Sequence, residues 1–261
     1  MSPLRGVVVL ALVVAITGCQ LFEPAAADLL STANTKMQTA KSVHLDGSGS
    51  LALKGGASFS FDFKISGDVE VPDKSRLNLN MAFFGQNINI ETITVGGKSY
   101  TKDPTSGTWN ESTNSNANNT SSFSTLMPMD PFSSLDLSGV ASVVEVDRPV
   151  IDGQKTRHFR YSADPHKLKD VMEKSARATA LPFSNPTGVG EVWIRVDDSQ
   201  IVRQTLKVTL DIENLGGLIP GAQLPGATGS NTKNTFEMGF EFNFTKHGEA
   251  IPAITAPPTR R

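Results

Sequence analysis

Cysteine is almost absent from this chain: one residue in 261, Cys19. That excludes a disulfide-stapled scaffold and any metal site built from cysteines. A surplus of one charge is also missing. With 24 Lys and Arg against 26 Asp and Glu, the formal net charge is −2, and the clustered positive excess that nucleic-acid binding needs is not there. Histidine is scarce, and none of His44, His158, His166 and His247 forms an HExxH-type pair, which leaves no local metal site. A G-x-S-x-G nucleophile turn is lacking too, since Gly47-Ser48-Gly49-Ser50 has the wrong order. Gly96-Gly97 and Gly216-Gly217 lack the Lys-Ser/Thr of a phosphate-binding loop. The paired acids Asp197-Asp198 fall in a predicted turn. These absences predict a protein that is not an enzyme and uses no metal and no organic cofactor. What the chain does have is 38% hydrophobic residues and 14 Phe, enough for a sizeable core and too much for wholesale disorder.

The N-terminus carries the sharpest local signal. Arg5 precedes an apolar run of eleven residues, Gly6 to Ile16. As a helix that run spans ~16 Å, against a hydrocarbon core of ~30 Å, so it is too short to cross a membrane. Its length and flanks are those of an export signal. It ends Ile16-Thr17-Gly18-Cys19, which resembles the bacterial lipobox, in which small residues give the peptidase access and the thiol receives diacylglycerol. The resemblance implies cleavage before Cys19, acylation of that thiol (palmitate is a typical chain), and tethering on the extracytoplasmic side of the cell membrane. Residues 1–18 are then a lipoprotein signal peptide and 19–27 a lipidated tether.

From Asp28 the pattern turns helical. Leu29, Leu30, Ala33, Met37 and Ala40 recur at spacings of three and four, with Asp28 placed to cap. Alternating segments follow. Between Ala57 and Val71 every odd position is apolar or Gly and every even one polar, the period of a strand with one wet face. Leu77, Leu79, Met81 and Phe83 continue the theme. The apolar parity shifts between Ile90 and Ile93, which predicts a β-bulge. Two long alternations close the domain, one on Leu206, Val208 and Leu210, the other on Phe236, Met238, Phe240, Phe242 and Phe244. Shorter strands are predicted over 43–53, 99–102, 143–147, 157–161 and 191–196, giving about ten in all. A second helix is predicted where Asp164 caps and Pro165 takes the first helical position. Ser112–Ser124 and Gly216–Asn234 read as long loops. The domain is predicted to end at residue 250, with 251–261 a flexible tail.

About ten antiparallel strands at ~4.8 Å spacing make a sheet of roughly 1,700 Å² per face. Two helices of about fifteen residues cover only ~440 Å² of it. An exposed apolar area of the remaining size is rare on a soluble monomer. Curling the sheet into a half-barrel solves this, and its interior is filled either by its own side chains or by a ligand. The candidate lining is Phe59, Phe61, Phe63, Leu79, Met81 and Phe83 on the first strands, with Leu206, Val208, Leu210, Met238, Phe240 and Phe242 on the last.

Several stretches resemble the mycobacterial LppX/LprAFG lipoprotein family, within the wider group of LolA/LolB-like lipid and lipoprotein carriers. They are Ala33 to Leu45, Val95-Gly96-Gly97-Lys98-Ser99-Tyr100 followed by Trp109, Ile151-Asp152-Gly153-Gln154-Lys155-Thr156, and Gly190-Glu191-Val192-Trp193-Ile194 with Ile201-Val202-Arg203. The resemblance implies an α+β fold: a curled antiparallel half-barrel with helices on its concave face, one LolA-like domain over 28–250. It also implies a cavity for the acyl chains of a lipid or glycolipid, and a role in moving that ligand across the envelope, with a transport partner of unknown identity. The other function open to such a chain is that of an envelope sensor or scaffold that binds a partner protein.

Overall fold

The computed structural model describes residues 23–55, 58–83, 86–112, 140–175, 183–212 and 234–258. Cys19, the apolar run before it and both predicted long loops lie outside these residues, apart from Ser112 and Asn234 at their ends. The alternating segments become strands β1 (Ser42–Lys54), β2 (Phe59–Glu70), β3 (Lys74–Phe83), β4 (Gln86–Val95), β5 (Lys98–Lys102), β6 (Trp109–Ser112), β7 (Val140–Asp147), β8 (Val150–Ile151), β9 (Gln154–Ala163), β10 (Phe183–Arg195), β11 (Ile201–Ile212) and β12 (Asn234–Thr245). All pair antiparallel in one sheet of order β6-β5-β4-β3-β2-β1-β12-β11-β10-β9-β7, with β8 hydrogen-bonded to β9. The two outer strands do not meet, so the sheet is open. The chain's first long strand lies beside its last, which places both phenylalanine-rich alternations at the centre.

Two helices complete the described residues, α1 (Ala26–Thr39) and α2 (Pro165–Ser175). α1 buries Leu29, Leu30, Ala33 and Met37 against the sheet, the stripe expected from their spacing. It begins two residues before the predicted start. Leu29 N–H bonds the Ala25 carbonyl, no side chain caps the helix, and Asp28 sits in the first turn, where its charge favours the N-terminal dipole. α2 is capped as predicted: Asp164 Oδ1 accepts from the backbone N–H groups of His166 (2.8 Å) and Lys167 (3.3 Å). Those two donors hold its carboxyl below the usual carboxylate range.

Among the described residues there are twelve strands where about ten were expected. β6 and β8 are too short to show a period, and β10 begins at Phe183, upstream of the predicted 191, because Pro186 and Gly188 mask its alternation. The expected bulge in β4 is absent: β3 and β4 pair in unbroken register from Ser75–Thr94 to Phe83–Gln86. The parity shift has another cause. Ile90 belongs to the main core, whereas Ile93 is buried on the opposite face with Tyr100 and Ile254. Ile254 comes from the segment expected to be a flexible tail. Its described part, 251–258, instead packs on the sheet, with Ile254 buried, Ile251 partly so, and Arg76 donating to the Ala253 carbonyl at 3.4 Å. Bulges do occur, in β7 and β10.

Candidate functional site

Register turns the alternation of single strands into a continuous apolar surface. One row runs Ile88, Met81, Phe63, Gly49, Phe240, Leu206, Gly190, Tyr161, Val143, each the Cα partner of the next. It crosses nine strands, ~38 Å at the usual inter-strand spacing. The next row runs Ile90, Leu79, Ile65, Gly47, Phe242, Gln204, Val192, Phe159, Glu145. Of the twelve residues predicted to line an interior, Phe61, Phe63, Leu79, Met81, Val208, Leu210, Met238 and Phe242 are buried in one cluster. Phe59, Leu206 and Phe240 pack against it partly buried. Phe83 ends β3, and its side chain lies outside the described residues. The structure thus brings eleven of these side chains to one face.

Glycine permits close packing in the first row. A Cβ on Gly49 would sit 2.2 Å from Phe63 Cζ, so the Phe63 ring lies directly over the β1 backbone. There it meets Phe240 edge-to-face at 5.9 Å. Phe240, Phe242 and Phe244 continue as a ladder at 6.0 and 6.1 Å.

One polar pair interrupts the apolar surface. Gln204, 1% exposed, donates from Nε2 to Tyr161 Oη at 2.8 Å, and the Tyr161 hydroxyl donates to the Thr205 carbonyl at 3.3 Å. Burial pushes the Tyr161 phenol up to about 12. Gln204 Oε1 is buried with no hydrogen-bond partner among the described residues, an arrangement native proteins rarely leave unexplained. The sequence signal for this site was weak, because Gln204 occupies an apolar position in an otherwise regular alternation.

The opposite face is polar and carries its own relief. A recess of ≈ 680 Å³ lies over Ser48, Ser50, Asp62, Lys64, Asn80 and Glu241. A second, of ≈ 450 Å³, lies over Ala52, Arg160, Glu191 and Lys207. These side chains have the outward parity, but Phe63, Met81 and Phe240 also line the first recess, and Leu206, Met238 and Phe240 the second. Both recesses are troughs of a twisted sheet. Nearby, His158 stacks on Trp193 at 4.2 Å between Asp147 and Glu191. No group of three or more His, Cys, Asp or Glu among the described residues could hold a metal ion.

The sequence profile of the LppX_LprAFG lipoproteins matches residues 25–214. The chain belongs to this family. The match takes in α1 and the sheet through β11, while β12 and the docked C-terminal segment lie beyond it. No curated protein matches the chain. Among solved structures, it is similar to lipoprotein LppX of Mycobacterium tuberculosis, with 15% identity, 87% of this chain and 99% of that one covered, and a TM-score of 0.45. It is also similar to LprF of Mycobacterium bovis, with 14% identity, 90% and 98% covered, and a TM-score of 0.48. A LolA superfamily protein of Nitrosomonas europaea aligns at 7% identity over 88% of this chain and 96% of that one, with a TM-score of 0.29. Membership in the LppX_LprAFG family makes this chain an envelope-associated lipoprotein.

Proposed function

We propose that this lipoprotein is held at the extracytoplasmic face of the cell membrane by an acylated Cys19, binds a lipid or glycolipid along its apolar concave face, and carries it across the envelope. The observation that carries the reading is the apolar surface itself, continuous over nine strands of an open sheet. Acyl chains need such a surface: long, non-directional and shielded from water. Gln204 Oε1 supplies one unsatisfied acceptor within it, placed to take a hydrogen bond from a ligand hydroxyl or amide N–H. Phe59, Leu206 and Phe240, partly exposed beside the closed core, are the side chains over which a chain would lie first.

The deciding experiment is mass spectrometry of protein purified gently from its native membrane. Co-purifying lipid is the expected result, and a clean apo-protein would overturn the carrier reading. The anchor is checked separately. Cys19→Ala is expected to abolish labelling by a fatty-acid probe, and label that persists on the variant would place acylation elsewhere.

A further inference from the structure

The chain between Cys19 and the folded body is short, and its end is fastened. Arg148 grips Glu23 with both terminal nitrogens, Nη1 to Oε1 at 2.7 Å and Nη2 to Oε2 at 2.5 Å, and its Nε donates to Glu145 at 2.7 Å. The buried Arg157 clasps the same Glu145 through Nε (3.1 Å) and Nη2 (2.6 Å), and donates from Nη1 to the Pro24 carbonyl at 3.0 Å. Hydrogen bonds from Arg157, then Arg148, hold the Glu145 carboxyl below the usual carboxylate range. Two residues later α1 begins, and Leu29 and Leu30 are already in the core. Three residues separate Cys19 from Glu23, and the four Cα steps make a leash of ~14 Å at full extension. β1 alone, with thirteen residues, is ~43 Å long. A leash so much shorter than the body fixes which end of the body meets the bilayer.

That end is also where exposed apolar side chains gather. Among the described residues, the large hydrophobic side chains exposed to solvent are Val144 (65%), Val146 (43%), Val150 (63%), Val189 (53%) and Val196 (48%). Four of the five lie near the tether's clamp in the chain, Val144 and Val146 on the sheet face opposite Glu145. Val144 and Val146 flank Glu145, and Val150 lies two residues beyond Arg148. Val150 pairs with Lys155 across the β8–β9 hairpin, and Val196 N–H bonds the Lys155 carbonyl at 3.0 Å. Lys155 therefore stands between Val150 and Val196 on one face. An apolar tip that carries Lys155 suits an interfacial membrane contact, and of the acids at the same corner Asp147 lies 2.9 Å from His158 Nδ1 and Asp198 is paired with Arg195.

We infer that the corner formed by β7, the β8–β9 hairpin and the turn after β10 is the membrane-docking surface of this lipoprotein, and that it rests in the headgroup region beside the anchored Cys19. The bilayer is the occupant, because the leash brings it there. Docking at this end holds the concave face at a fixed attitude to the membrane from which a lipid would enter. The inference rests on acylation of Cys19, the reading given above.

Because Cys19 is the sole cysteine and its thiol is acylated in the mature protein, one introduced cysteine is uniquely labelled. Full-length acylated protein carrying Val150→Cys, and separately Thr105→Cys in the β5–β6 turn at the far edge, is labelled with an environment-sensitive dye. Each is reconstituted into phosphatidylcholine–phosphatidylglycerol vesicles that contain doxyl-labelled lipid. Quenching at Val150→Cys at least about twofold stronger than at Thr105→Cys is expected for interfacial insertion. Adding Glu23→Gln and Arg148→Gln is expected to reduce that difference while the protein still floats with the vesicles. Equal, weak quenching at both sites in protein that floats overturns the docking surface and leaves the anchor intact. Protein that does not float overturns the anchor itself. Lys155→Cys repeats the measurement at the neighbouring exposed position, so a labelling defect at Val150 does not decide the result.

Discussion

At the scale of single residues, packing distance and burial make firm demands. Gly49 has no room for a side chain, since Phe63 occupies the place of its Cβ at 2.2 Å and the Gly239 carbonyl lies 2.7 Å away. Gly49→Ala is therefore expected to destabilise the fold by ~1–3 kcal/mol, the usual cost of overpacking, seen as a lowered urea midpoint. An unchanged midpoint would show that Phe63 has another place to go. His247 makes a pH-dependent demand. Its Nε2 donates to the Ile201 carbonyl at 2.9 Å, and burial lowers its pKa from the ordinary 6.5. The unfolded chain then binds the proton more readily than the folded one. The contribution of a neutral His247 is present above pH 6.5 and lost as pH falls through the folded value. Wild type is expected to lose more stability than His247→Gln between pH 7.5 and 5.5 in urea titrations. Parallel losses in the two proteins would remove His247 from the account.

At the scale of elements, the C-terminal segment changes how a strand is read. A rule of one wet face per strand, applied to β4, makes burial of both Ile90 and Ile93 look like a bulge. The structure keeps β4 regular and supplies a second apolar cluster on its other side, with Ile254 closing over Ile93 and Tyr100. Ile254→Ala is expected to cost about 2 kcal/mol or more, the range for truncating a buried aliphatic side chain. Early proteolysis C-terminal to residue 250 is expected alongside it. Wild-type stability in this variant would restore the segment to a loose tail. The β8–β9 hairpin turn has a local cause. Asp152 and Gly153, both at positive φ (49° and 77°), make the β8–β9 hairpin turn, the conformation an Asp-Gly pair favours.

At the scale of the whole molecule, what fills the space against the apolar face separates a lipid carrier from a closed core. Val208 is 3% exposed and pairs across the sheet with Met238 and Gly188. If lipid shares that space, an indole at this position displaces acyl chain rather than protein. Val208→Trp is then expected to leave the delipidated protein within ~1 kcal/mol of wild type, while extracted lipid per mole falls sharply. A variant that is clearly destabilised yet carries wild-type amounts of lipid would move the ligand away from Val208. The Arg157–Glu145 pair belongs to this scale too, because it joins β9 to β7, the last two strands in the sheet order, while Arg157 also holds the Pro24 carbonyl ahead of α1. Removing Glu145 strands the Arg157 charge in a place water reaches poorly, whereas Glu145 without Arg157 keeps Arg148 as its partner.

The chain's own sequence determined what depends on neighbours a few residues away. Period two gave the long strands and their apolar parity, three-and-four spacing gave α1, and Asp164-Pro165 gave the start of α2. Each is a local pattern with a local cause. Only the tertiary structure decided what depends on distant partners. Register aligned eleven apolar side chains from four strands into one face, Ile254 crossed more than 150 positions to cover Ile93, and Arg148 and Arg157 reached back to hold Glu23 and Pro24. Gln204 shows the boundary most clearly. Its parity marked it as inward, but only the fold placed its amide between Tyr161 and an apolar interior with one acceptor left over. Strand register, long-range burial and ion pairing are set by where the chain returns to itself, and no local period records that.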